Sequence, residues 1–273
     1  MNWEGNVRKM GSHVDESGRV SYAFRGSDIL VPKDEWCASD WVGKEVEIRF
    51  EGDIHCVATG KKIRKTFGEG LSYDAFLSSP LACPSIIRPE LSRIHEGIAL
   101  RDEAWERANH LQPHVVYISQ TSGFKVGVTR ATNVPSRWVD QGAVAAMVVA
   151  HVPYRQLAGE IEVLLKEHVS DRTAWRAMLK GVAPDQEGLE AFRETCFGHL
   201  EMGYEEFLDL EDEWHEFMYP VQAYPDKVKS VKLDKQPVLA GKLVGIKGQY
   251  WLFESGEVWN VRSHAGYRIR MEA

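Results

Sequence analysis

HVVYISQTSGFKVGVTRATNVPSRWVDQGA, residues 114–143, decides how the chain is read. Val115, Val116, Tyr117 and Ile118 form a short β-branched and aromatic run, Thr121-Ser122-Gly123 is a turn sequence, and 124–130 is a second run, which together predict a β-hairpin. Asn133 or Ser136 is placed to cap a helix and Pro135 suits a first turn, so SRWVDQGAVAA predicts a helix directly after the hairpin. Further on, MVVAHVP (147–153) predicts a third strand. YRQLAGEIEVLLKEHV (154–169) predicts a helix with Leu157, Ile161, Leu164, Leu165 and His168 on one face. The expected order is ββαβα.

The flanks have another character. RVSYAF, EVEIRFEG and IHCVATG in the first hundred residues alternate apolar and polar positions between glycines, the period of antiparallel strands. Residues of about 80–108 read as a proline-broken connector with a helix-compatible end. After Pro184 an acid-rich helical segment is expected over 186–216, and the last fifty residues return to strands with a turn at Ser255-Gly256. The predicted class is α+β: a β-rich part over 1–108, a ββαβα domain over 109–183, an acidic helical segment over 184–220 and a β-rich part over 221–273. The two β-rich ends are candidates to pair into one platform.

Composition narrows the function classes. Hydrophobic residues at 44% and charged residues at 27% are globular values and exclude a disordered or collagen-like chain. Cys37, Cys56, Cys83 and Cys196 show no C-x-x-C spacing, so reduced thiols in a cytoplasmic protein are the expectation. No apolar run approaches a membrane span and no leader-like segment opens the chain. The net charge of −7 argues against a protein that wraps long duplex DNA. Charge is uneven, with a basic run GKKIRKTF (60–67) and an acidic run YEEFLDLEDEWHE (204–216), each of which also reads as a solvated face.

With that order in hand, the 114–143 stretch resembles the core of the GIY-YIG nuclease superfamily. VVYI puts Tyr117 at the tyrosine of the first motif, KVG (125–127) stands for the second, Arg137 in PSRW matches the helix arginine, and Glu162 in GEIEVLL matches the metal-binding glutamate. A longer resemblance, carried by GKKIRKTFGEG, KVGVTRATNVPSRWVDQGA, DRTAWRAMLKG and GKLVGIKGQYWLFESGEVWNVRSHAGY, is to the bacterial family called domain of unknown function 2797. The chain departs from these patterns. Lys125 stands where the nucleases carry the tyrosine proposed as general base, and Ala174 where an asparagine is expected. A zinc-ribbon-like region over about 54–100 keeps Cys56 and Cys83 but has Thr59, Ser72, Ala75 and Ser92 at the other positions, which implies that a zinc site is lost.

The resemblance implies a Mg²⁺-dependent endonuclease acting on structured or single-stranded nucleic acid, DNA or RNA. Glu162 would hold the metal, Arg137 and Arg130 would contact phosphate, and Tyr117 and Lys125 would complete the catalytic set. Each has a plainer reading: Glu162 paired with Lys166 at i,i+4, the arginines paired with Asp140 or Asp171, Tyr117 as a core aromatic, and Lys125 as a phosphate-binding cation rather than a base. Cys83, His95, His110 and His114 read either as a metal-site remnant or, more simply, as core and surface residues. The aromatics of GQYWLF and EVWNV either stack on bases or fill a sheet face. A catalytically inactive nucleic-acid-binding module is the alternative, and a protein-interaction scaffold using the acidic run is a third reading.

Overall fold

The computed structural model describes residues 2–168, 174–200 and 203–273, with mixed α and β structure in several sheets. By packing the chain forms two units. One comprises Met1–Leu77, Leu179–Gly181 and Met218–Ala273, the other Ser78–Met178 and Val182–Phe217. The proline-rich connector therefore packs with the central domain rather than with the β-rich N-terminal part. Among the described residues no helix is long and apolar enough to cross a membrane.

In the first unit the two β-rich ends join in one ten-stranded sheet. Its spine is Glu45–His55, paired antiparallel with Val238–Lys247 on one side and Tyr267–Glu272 on the other, and Asn2–Val7 adds to the latter. The two pieces expected around 45–60 are largely one eleven-residue strand, because Gly52 at φ +88° lets the backbone continue through a conformation that side chains resist. Trp251 and Trp259 face each other across the closing hairpin and are wholly buried, with Phe24, Trp36 and Trp41 packed against them. These tryptophans fill the core, which overturns their reading as base-stacking surfaces. Tyr250 alone of that hairpin's aromatics is partly exposed.

The second unit holds the opening stretch. His114–Gln120 and Phe124–Arg130 form the hairpin, with Tyr117 opposite Gly127. Ala145–Val152 pairs antiparallel on the other side of His114–Gln120, which leaves that strand central and buried along its whole length. The helix between them is short, Ser136–Asp140. Neither expected cap operates: Pro135 takes the cap position, and the Ser136 hydroxyl donates to Asn133 O instead of accepting from the helix.

Arg155–Lys166 is the long helix, with Ala158, Ile161 and Leu165 buried on the sheet and Leu157 and Leu164 packed beside them. His168 lies past its end, exposed and stacked on His199, not on the apolar face. The acidic helix covers only Gln186–Leu200. Beyond it Gly203 at φ +122° is incompatible with a helix, and the acidic run instead lies along the strand Ala145–Val152. There Asp212 accepts from Val148 N, Asp209 N donates to Val149 O, and His215–Glu216 adds a fourth strand. The run thus covers a sheet edge that would otherwise stand unpaired.

The connector is a series of turns, Pro80–Ala82, Pro84–Ile87 and Pro89–Leu91, each with proline at its first position, where a missing N–H costs nothing. It grips the long helix at Gly159: a Cβ there would stand 2.1 Å from Glu90 N and 2.5 Å from Pro89 C. Gly127 is similar, since a Cβ would lie 2.6 Å from the Tyr117 hydroxyl. Alanine for glycine in a helix normally stabilises by about 1 kcal/mol. Gly159→Ala is expected to destabilise by about 1–3 kcal/mol or more, because backbone rather than a flexible side chain must give way. Gly127→Ala should cost less, and part of that cost should return in the Gly127→Ala/Tyr117→Phe pair. Urea denaturation of the three variants measures both statements; a stabilised Gly159→Ala would show that the helix is not seated on the Pro89 turn.

Candidate functional site

Tyr117, Lys125, Arg137 and Glu162 come together in the second unit from the two hairpin strands, the short helix and the long helix. The organising residue is Gln141, just past the end of the short helix. Its Oε1 accepts from the Tyr117 hydroxyl at 3.3 Å and from Lys125 Nζ. Tyr117 and Lys125 lie on the two consecutive strands of the hairpin, Lys125 two positions from Gly127, the partner of Tyr117, so one side-chain oxygen serves both.

Tyr117 is 1% exposed, and burial pushes its phenol above its ordinary value. The nearby charge of Arg137 pulls the other way, and Glu162 adds to the rise. A phenol in that state stays protonated near neutrality and donates hydrogen bonds; it is not a base. Lys125 is 7% exposed, its ammonium held by a neutral amide oxygen. Arg137 is half-buried and close enough to Tyr117 for its charge to act on the phenol. Asp171, one of its possible ion-pair partners, lies outside the described residues.

Glu162 is 7% exposed and its carboxylate meets Lys166 Nζ at 3.3 Å. The i,i+4 pair read from the sequence is therefore present. Burial nevertheless pushes the Glu162 carboxyl above the ordinary value; Lys166 and Arg155 oppose that rise and Glu90 reinforces it. Glu160, on another face, is exposed and receives a hydrogen bond from Gln156.

Arg155, missed in the sequence, belongs to the set. It sits seven residues before Glu162 on the same helical face, and the signal was present in that spacing. Its Nε donates to Ser85 O at 2.8 Å and Nη2 to Ile86 O at 2.9 Å. Burial lowers its pKa to about 10, while Glu162 raises it and Arg137 and Arg130 lower it. Arg130 stands at the other end of its strand from Lys125, bonded to Asn109 at 2.6 Å. It extends the positive field rather than joining the cluster around Gln141. Gln141 and Glu90 had no legible signal, since each acts through a contact made only in the fold.

The metal-remnant set does not assemble. Cys83 Sγ meets Ser85 Oγ at 3.1 Å and His95 stacks on Tyr154. Burial holds His110 and His114 neutral, each lowered to about 4. Cys56 and Cys83, the two surviving cysteines of the zinc-ribbon-like region, fall in different units. Among the described residues no three His, Cys, Asp or Glu side chains group closely enough to hold a metal ion.

The raised Glu162 value has a consequence for stability. A carboxyl whose folded-state pKa exceeds its unfolded one contributes stability below the ordinary glutamate value, and loses it as pH rises through the folded value. Ionised Glu162 is then a net cost near neutral pH. Glu162→Gln is expected to raise the melting midpoint at neutral pH, with a smaller difference in mild acid; a lower midpoint at neutral pH would show that the Lys166 pair outweighs burial.

A family model described as "Protein of unknown function (DUF2797)" matches residues 43–269. No curated protein and no solved structure matches the chain.

Proposed function

We propose that this chain, which belongs to the DUF2797 family, binds nucleic acid at the Gln141-centred cluster and cleaves its phosphodiester bonds in a Mg²⁺-dependent reaction, as a GIY-YIG-like endonuclease. The observation that carries this reading is the convergence of Tyr117 and Lys125 on the Gln141 oxygen, with Arg137 and the buried carboxylate of Glu162 close enough to act on the same phenol. Several donors and cations facing one carboxylate suit a phosphate diester, whose negative oxygens need donors and whose hydrolysis needs a cation.

The residues present fit magnesium. Mg²⁺ takes one or two carboxylates and keeps most of its waters, and Glu162, with Glu90 close enough to raise its proton affinity, provides that much. A cation there also relieves the cost of the buried charge. When bound, the ion supplies positive charge against the phosphate and makes water more acidic.

The chain's own groups divide the remaining work. Arg137 presents a planar fork that suits two phosphate oxygens, and Lys125 places a point charge beside it. Tyr117, kept protonated by burial, donates a hydrogen bond and holds Gln141 in place. Arg155, anchored to two backbone carbonyls, fixes the start of the helix that carries Glu162 and adds to the positive field. Lys166 must yield Glu162 when the metal arrives.

The second reading is a catalytically inactive nucleic-acid-binding module. It is favoured by two observations: Lys166 already neutralises Glu162, and Tyr117 is too buried to meet a substrate directly. End-labelled single-stranded, hairpin and branched DNA and RNA, incubated with the protein with and without Mg²⁺, separate the two. The enzyme predicts metal-dependent cutting that falls about a hundredfold or more in Glu162→Ala and in Arg137→Ala. Lys166→Ala should lower the Mg²⁺ concentration needed for half-maximal cutting. Binding without cutting, unchanged or tightened in Glu162→Ala, establishes the module. Absence of both binding and cutting overturns the nucleic-acid reading.

A further inference from the structure

The first unit carries an exposed apolar tip that nothing above uses. Ile29, Leu30 and Val31 are consecutive and 41%, 47% and 68% exposed. Single exposed aliphatics are ordinary, but three in a row on one turn are not. Ile29 also has φ +55°, a conformation that costs a β-branched residue energy and persists only where its surroundings impose it.

Those surroundings are specific. Ile29 N donates to Asn6 Oδ1 at 3.0 Å, while Ser27 Oγ at 2.8 Å and Arg8 Nη2 at 2.7 Å both donate to Ile29 O. Asn6 is wholly buried and anchored in turn to Gly266 O at 2.9 Å and His55 Nδ1 at 3.0 Å. The tip is therefore held out rigidly, and presenting it needs no further ordering of the chain.

A basic run adjoins it. Gly60 abuts the tip so closely that a Cβ would stand 2.8 Å from Ile29 Cγ2 and 3.1 Å from Leu30 Cγ. The chain continues from there into Lys61, Lys62, Arg64 and Lys65. Lys62 pairs with Asp53 at 2.5 Å, but Lys61, Arg64 and Lys65 are exposed and make no ion pair among the described residues. The acid on the turn itself, Asp28, is already paired with Arg268 at 2.8 Å. An aliphatic point thus stands at the start of a run that carries three exposed cations, of which Lys65 lies over the Phe67 ring.

We infer that this tip is a second nucleic-acid contact, which inserts Leu30 and Val31 where base stacking is already broken while Lys61, Arg64 and Lys65 take the flanking phosphates. The inference rests on the nucleic-acid reading above and specifies its substrate class as duplex interrupted by a bulge, mismatch or junction. Aliphatic side chains lack the flat face that unpaired bases stack on, which disfavours plain single strands. They serve well as wedges between base steps, and opening a step costs least where it is already disturbed. A lipid bilayer is the poorer fit, because interfacial anchoring draws on a far longer apolar face than three side chains offer.

The test uses the full chain without Mg²⁺, so that nothing is cut, and reads fluorescence anisotropy with a labelled duplex carrying a central bulge, the same duplex unbroken, and vesicles of anionic phospholipid. Wild type should bind the bulged duplex about tenfold more tightly than the unbroken one. Leu30→Asp/Val31→Asp should lose that preference while keeping its affinity for the unbroken duplex. Arg64→Ala/Lys65→Ala should weaken both and reduce the salt dependence, log K against log salt, by a slope of about 2. A 2-aminopurine beside the bulge should brighten with wild type and not with the tip variant. Melting midpoints check that the variants fold, and Leu30→Ser/Val31→Ser replaces the aspartates if they do not. Equal affinity for the two duplexes, a preference that survives in the tip variant, or tip-dependent binding to vesicles in place of DNA would each overturn the inference. Glu162→Ala keeps the preference if the inference holds: cutting that fails while the preference persists removes only the nuclease, and cutting that persists without the preference removes only the wedge.

Discussion

The missing side chain at Gly159 is the constraint on which the candidate site depends. It lets the backbone of the long helix press against the Pro89–Leu91 turn, with a separation that even one methyl would violate. Arg155 ties the start of the same helix to the carbonyls of Ser85 and Ile86. With its first two turns held in this way, the helix can place Glu162 only over the central strand, beside Tyr117. A shift of an ångström would separate the carboxylate from the phenol and the cations around it.

The second unit is organised by the central strand His114–Gln120. Paired on both sides and buried throughout, it fixes Tyr117 opposite Gly127, whose bare backbone makes room for the phenol. Tyr117 and Lys125 both donate to the neutral amide oxygen of Gln141. Glu162, though met by Lys166, is buried at a cost. Such burial is expensive for a structure with no use for it, because one partner repays only part of the solvation a buried charge loses. Stability given up at one place in this way is a common mark of a working site.

The acidic run 204–216 shows how a conspicuous sequence feature can serve the fold. Asp209 and Asp212 are spent on the backbone and side chains of the sheet edge, and Arg193 donates to the carbonyls of both. What read as a possible partner-binding surface is in part the cover of an edge strand. The apolar tip at Ile29 is the converse, an unobtrusive tripeptide in sequence that the fold presents at a strained and well-braced turn.

The sequence alone determined the order of elements in the second unit, because strands and helices there have clean periodicities: alternation or β-branched runs for the hairpin and third strand, and a repeated apolar face at Leu157, Ile161, Leu164 and Leu165. It also pointed to the family, through motifs spread along most of the chain, and singled out Tyr117, Lys125, Arg137 and Glu162 as candidates through their places in that order. Tertiary structure decided the rest. Gln141, Arg155 and Glu90 matter only through contacts between elements distant in sequence, and no local pattern records such contacts. The joining of the two β-rich ends into one sheet was decided the same way, since alternation says that a strand has a buried face but not which strand lies beside it. Burial made the final choice for the tryptophans and for the Tyr117 phenol: solvent exclusion is a property of the packed molecule, and it set which aromatics are core and which ionisable groups carry charge.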